Sequence, residues 1–79
     1  MNTQNRLPTK PRNSKFLVFD EPVKIELVYT DDPYTNLSPG DQGYASAWSL
    51  EAGKWKLDVK WDIGTGLSLL DGIDKWKTV

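Results

Sequence analysis

The stretch Trp55-Lys56-Leu57-Asp58-Val59-Lys60-Trp61 decides the fold, because four apolar side chains alternate strictly with three charged ones. A period of two belongs to a strand with one face in a core and the other in water. Upstream, Glu51-Ala52-Gly53-Lys54 reads as a hairpin connection to a strand over Gly43–Leu50. In that strand Ala45 and Ala47 share one face while Tyr44, Ser46 and Trp48 share the other. The alanines are expected to face inward, leaving room for large side chains opposite, so Tyr44 and Trp48 are expected to be at least partly exposed. Further upstream, Val23, Ile25, Leu27 and Tyr29 alternate with Lys24, Glu26 and Val28, a first strand.

The connections are equally legible. Residues 30–40 hold Asp31-Asp32-Pro33-Tyr34 and Pro39-Gly40, turn formers with two prolines that cannot donate to a ladder, hence a long loop. Pro39-Gly40 suits the centre of a type II turn, with glycine taking the positive φ. After Trp61, Asp62–Gly66 turns the chain and Leu67–Leu70 forms a short strand. Asp71–Asp74 makes one tight helical or 3₁₀ turn, and Lys75–Val79 is the last strand. Phe16–Phe19 is an apolar run ended by Asp20-Glu21-Pro22, either an edge strand or a segment folded across the barrel mouth. As an exposed strand edge it would be a template for a weak dimer.

Five short strands, one long early loop and no segment able to form a three-turn helix describe an all-β fold, a small SH3-like five-stranded antiparallel barrel over residues 16–79. An OB fold would want more residues, and an open meander is the other alternative. Residues 1–15 have only Met1 and Leu7 as apolar side chains and read as a disordered basic arm. With few residues to build a core, the tryptophans carry a large share of it, and Trp55, Trp61 and Trp76 fall on apolar phases or next to turns.

The 79 residues contain neither cysteine nor histidine, which removes thiol nucleophiles, Ser-His and Cys-His dyads, Cys/His zinc sites and disulfides together. Asp31/Asp32, Asp58/Asp62 and Asp71/Asp74 sit at turns or on solvent faces, where capping and solvation account for them. The calcium-loop spacing is absent, Gly64-Thr65-Gly66 is too short for a phosphate fingerprint, and Gly53-Lys54 lacks the rest of a P-loop. A protein that is not an enzyme, with no cofactor and no metal, is the expectation.

The net charge of −1 conceals an asymmetry. Arg6, Lys10, Arg12 and Lys15 stand in residues 1–15 without an acid, whereas residues 16–79 carry 6 basic against 11 acidic side chains. An acidic barrel argues against wrapping nucleic acid on its face and leaves the arm as the place for phosphate contacts. The absence of an apolar leader or an 18-residue apolar run leads to the expectation of a cytoplasmic protein with no membrane contact.

The residues Thr30-Asp31-Asp32-Pro33-Tyr34-Thr35-x-Leu37-x-Pro39-Gly40-x-x-Gly43, Val59-Lys60-Trp61-Asp62-x-Gly64-x-x-Leu67-x-Leu69 and Asp74-x-Trp76 carry a further signal. In order and spacing they resemble a domain-of-unknown-function family of small bacterial and mobile-element proteins. The resemblance covers about Val23–Val79 and implies an SH3-like barrel and a bacterial, phage or plasmid origin. It implies no activity. Thr65 stands where the family has Ser, and Ala45 where it has a β-branched core residue.

Two functions follow as expectations. The first is an interaction module binding a protein or peptide through the 30–40 loop and an aromatic face, with Asp31, Asp32, Tyr34, Tyr44 and Trp48 as the partner-binding residues. Exposed Tyr and Trp are typical interface anchors, and Tyr34 and Trp48 together would form an aromatic platform. In the bland account of the same residues, Asp31 caps a turn and Tyr34 covers the barrel mouth. The alternative function is a nucleic-acid-associated barrel of the KOW type, with Arg6, Lys10, Arg12 and Lys15 of the arm contacting phosphate.

Overall fold

A computed structural model describes residues 6–79 of the chain. Its strands are β1 (Phe16–Tyr29), β2 (Gln42–Glu51), β3 (Lys54–Trp61), β4 (Leu69–Leu70) and β5 (Lys75–Thr78). All pairings are antiparallel, in the order β4-β3-β2-β1-β5. The sheet bends into a nearly closed SH3-like barrel, with β4 and β5 flanking the gap and joined across it by the 71–74 turn. That turn is one helical turn, closed by Asp74 N donating to Leu70 O at 2.9 Å.

The β2–β3 hairpin turns at the expected connection and runs from Glu51 opposite Lys54 to Gly43 opposite Trp61. Its two-residue connection puts both Ala52 (φ 51°) and Gly53 (φ 78°) in the left-handed region, the geometry that matches the twist of the flanking strands. At the other end Gly43 is required by a close approach, since a Cβ there would lie 2.7 Å from Lys60 O and 2.8 Å from Trp61 Cα. Pro39-Gly40 forms the expected turn, with Gly40 at φ 100° and Asp41 N donating to Ser38 O at 3.0 Å.

Two irregularities along β2 reshape the rest. Phe16–Phe19 and Val23–Tyr29 belong to one strand of 14 residues rather than to separate segments. Between the pairs Val18–Ala47 and Val23–Ala45, Phe19-Asp20-Glu21-Pro22 bulge opposite Ser46 alone. Pro22 is tolerated there because a bulged residue owes no ladder bond. On the β3 side Ser46 is itself the extra residue between Ala45–Val59 and Ala47–Asp58.

A one-residue bulge reverses the side-chain phase beyond it. Trp48 therefore turns into the core beside Leu57, and its expected exposure is not found: it is 4% exposed, whereas Tyr44, before the bulge, is 45% exposed. Ala45 and Ala47 are both buried, as expected. The core also holds Phe19, Ile25, Leu27, Leu37, Val59, Trp61 and Leu69, with Trp55 and Trp76 half-buried against it.

The described part of the basic arm lies on the barrel instead of extending freely. Leu7 packs against the core, Trp48 Nε1 donates to Pro8 O at 2.7 Å, and Lys10 pairs with Asp71. Residues 1–5 of that arm fall outside the described residues. Where the arm enters the sheet, Leu50 N donates to Lys15 O, so the main-chain groups of Phe16 point to the opposite edge of β1. There Ser14 Oγ accepts from Phe16 N at 3.2 Å and donates to Phe16 O at 2.8 Å, blunting the start of that edge against strand addition.

Candidate functional site

The 30–40 loop is fixed by side chains answering its own backbone. Asp32 N donates to Thr30 Oγ1, Tyr34 N to Asp32 Oδ1 at 2.9 Å, and Leu37 N to Thr35 Oγ1 at 3.1 Å. Ser38 N donates to Asp41 Oδ2 at 2.8 Å, and Leu37 is buried in the core. Polar side chains bonding two residues ahead along the chain are the turn chemistry that Asp-Pro-Tyr-Thr encodes.

The link from this loop to the rest of the barrel is Asp74. Asp74 is 6% exposed, and its carboxylate accepts Asp31 N on Oδ1 at 2.8 Å and Leu70 N on Oδ2 at 2.8 Å. One buried carboxylate thus satisfies two main-chain donors from elements 43 and 4 residues away. Above it opens a cleft of about 260 Å³ lined by Thr30, Asp31, Asp32, Leu67, Ser68, Leu70 and Asp74. Asp31 also accepts from Tyr29 Oη at 3.3 Å. Tyr34 projects from the loop with 93% of its surface in solvent, so it does not cover the barrel mouth.

The other partner-binding candidates lie elsewhere. Trp48 packs against Trp55 and Trp76, with ring centroids 6.4 and 6.3 Å away, and so forms no platform with Tyr34. Tyr44 stands on the outer face between Lys24 of β1 and Lys60 of β3, with Lys24 Nζ 5.9 Å from its ring centroid. In the arm, Lys10 is committed to Asp71 and to the Trp48 ring, whereas Arg6, Arg12 and Lys15 are exposed.

Asp58 and Asp62 do not converge: Asp58 accepts from Ser68 Oγ at 3.1 Å and Asp62 is exposed in the turn after β3. Among the described residues no group of three carboxylates could hold a metal ion, and no helix is long and apolar enough to cross a membrane. Two carboxyl groups are held below the ordinary glutamate range. Glu26 is lowered by the hydrogen bond from Gln42 and, secondarily, by the Lys77 ammonium, and Glu51 by its hydrogen bond and ion pair with Lys56.

Two features escaped the sequence reading. Asp74 was visible as a turn-flanking acid, but nothing in the sequence ties it to the main chain of Asp31. The arm's grip was visible only as Leu7-Pro8, an apolar pair in an otherwise polar segment.

No curated protein and no solved structure matches the chain. A family model does match it, over residues 17–79, and that span takes in the loop, the cleft and all five strands but for the first residue of β1. The chain therefore belongs to the DUF4314 family, a domain of unknown function.

Proposed function

We propose that the protein is a non-enzymatic binding module that takes a protein or peptide partner on the 30–40 loop. The observation that carries this reading is Tyr34, 93% exposed on a loop braced along its length by its own turn bonds and by Asp74. A large aromatic ring held in solvent by a rigid support contributes nothing to the core and binds with little ordering cost. Asp31 and Asp32 at its base favour a partner segment bearing Lys or Arg.

A peptide library displayed on phage and selected on the whole protein tests this. Basic peptides should be recovered whose affinity falls at least about tenfold with Tyr34→Ala, the loss of one interface anchor. Failure to enrich, or peptides indifferent to Tyr34→Ala, would overturn it. Because the ring is exposed, Tyr34→Ala should leave stability within about 0.5 kcal/mol, so the control protein is folded.

A second reading is favoured by the row Lys24–Tyr44–Lys60 on the outer face of β1, β2 and β3. An exposed aromatic ring flanked by cations can stack a base and hold phosphates of a single strand, and exposed Arg6, Arg12 and Lys15 would add to the attraction. Binding of a mixed-sequence oligonucleotide that weakens steeply with salt and is lost in Tyr44→Ala would put this reading first.

A further inference from the structure

We propose that the surface over Trp48 is a recognition groove for an extended, proline-containing basic segment, occupied in cis by the chain's own Leu7-Pro8-Thr9-Lys10-Pro11. This groove is separate from the Tyr34 loop and does not rest on the function proposed for it. The residues before Pro8 and Pro11, Leu7 and Lys10, are driven to extended backbone, and the prolines themselves cannot donate to a ladder. The segment indeed belongs to no strand.

The chain holds it as a ligand would be held. Trp48 Nε1 donates to Pro8 O at 2.7 Å, and Lys10 Nζ lies 5.2 Å from the Trp48 ring centroid while its ammonium pairs with Asp71. Trp55 stands edge-on to the same indole and Trp76 tilted against it, and Trp55 also lines the hollow beside Pro11, so the segment runs over an aromatic cluster. An aromatic cluster, an indole donor for a carbonyl and an acid for a cation are the elements by which proline-rich segments are recognised. The ladder bond from Leu50 N to Lys15 O marks where the segment joins the sheet, and the residues before it are tied to the barrel by side-chain chemistry. A partner segment with the same Pro-x-Lys spacing would compete for this groove.

The experiment uses the full chain and, as probe, the synthetic peptide Arg-Leu-Pro-Thr-Lys-Pro-Arg that matches residues 6–12. Lys10→Glu sets a carboxylate against Asp71 and over the indole face, releasing the cis segment. Affinity is measured by titration calorimetry in every chain and, in those that keep Trp48, the site is followed on the Trp48 indole N–H resonance. The peptide should bind Lys10→Glu at least about tenfold more tightly than the wild-type chain, in which the tethered segment competes at high effective concentration. A peptide with glutamate in place of its lysine should not bind, Trp48→Phe in the Lys10→Glu background should weaken binding about fivefold or more through the lost indole hydrogen bond, and Tyr34→Ala should leave it unchanged. Equal affinities for the two chains, or shifts that bypass the Trp48 indole, would overturn the proposal. So would loss of the native spectrum in both Lys10→Glu and the milder Lys10→Gln, which would make the segment part of the core.

Discussion

Trp61 and Trp48 do the same chemistry under different ownership. Each is buried, and each donates its indole N–H to a main-chain carbonyl, Leu67 O at 2.9 Å and Pro8 O at 2.7 Å. The acceptor of Trp61 lies 6 residues ahead, across a turn closed by Gly64 N to Trp61 O and Trp61 N to Thr65 O. The acceptor of Trp48 lies 40 residues back, on a segment outside the sheet. A bond whose two ends are joined by a closed turn keeps its acceptor beside its donor. One whose acceptor is on a side-chain-held segment can open while the barrel stays intact.

Removing Trp61 should give the largest effect. Trp61→Ala vacates the space over Gly43 and orphans the Leu67 carbonyl, and should cost about 3–5 kcal/mol in a urea titration. A loss under about 1 kcal/mol would mean the ring is peripheral and would erase the contrast with Trp48.

Asp74 combines a local partner, Leu70 N, with a remote one, Asp31 N. Asp74→Asn keeps one acceptor oxygen for two donors and turns an amide nitrogen toward the other. The cost should be about 1–3 kcal/mol, that of an unsatisfied buried group. Amide exchange shows which end gives way: faster exchange at Asp31 with Leu70 still protected would show that the remote contact is the weaker one. Equal release of both would remove sequence distance as the deciding variable.

Trp48→Phe should cost less, about 1–2 kcal/mol for the hydrogen bond and the ring volume lost, because the Pro8 carbonyl can turn to water when its segment lifts. Amide exchange at Leu7, Thr9 and Lys10 should rise while β2 and β3 stay protected. A loss as large as that of Trp61→Ala would place the two tryptophans in one cooperative unit.

What was legible follows the same division between local and remote. The β3 alternation, the Ala52-Gly53 hairpin and the Pro39-Gly40 turn are written in adjacent residues, and the structure realises all three. The burial of Trp48 depends on a bulge at Ser46, and Tyr44–Leu50 (YASAWSL) carries no Gly, Pro or break in pattern to announce it. The continuity of β1 was obscured by Asp20-Glu21-Pro22, which read as a terminator and act as a bulge. Composition marked the arm as unfolded because a polar, proline-bearing segment has little apolar area to bury. Its attachment needs little area, since one carbonyl, one cation and Leu7 meet groups already placed on the barrel.

The smallest expected effect tests the division among surface charges. Glu51 is held below the ordinary glutamate value of 4.5 by Lys56 across the hairpin, and Glu26 by Gln42 and then Lys77 on neighbouring strands. A carboxyl whose pKa is lower folded than unfolded adds stability above its unfolded pKa, and that contribution disappears as pH falls through the folded value. Stability should therefore begin to decline just below pH 4.5. Glu51→Gln and Glu26→Gln should each flatten that decline slightly, and high salt should mute the effect of both, since these pairs are solvent-exposed. If only Glu51→Gln flattens it, the hairpin pair is formed and the cross-strand pair is not. If only Glu26→Gln does, the closeness of partners in sequence governs neither the charges nor, by extension, the two tryptophans.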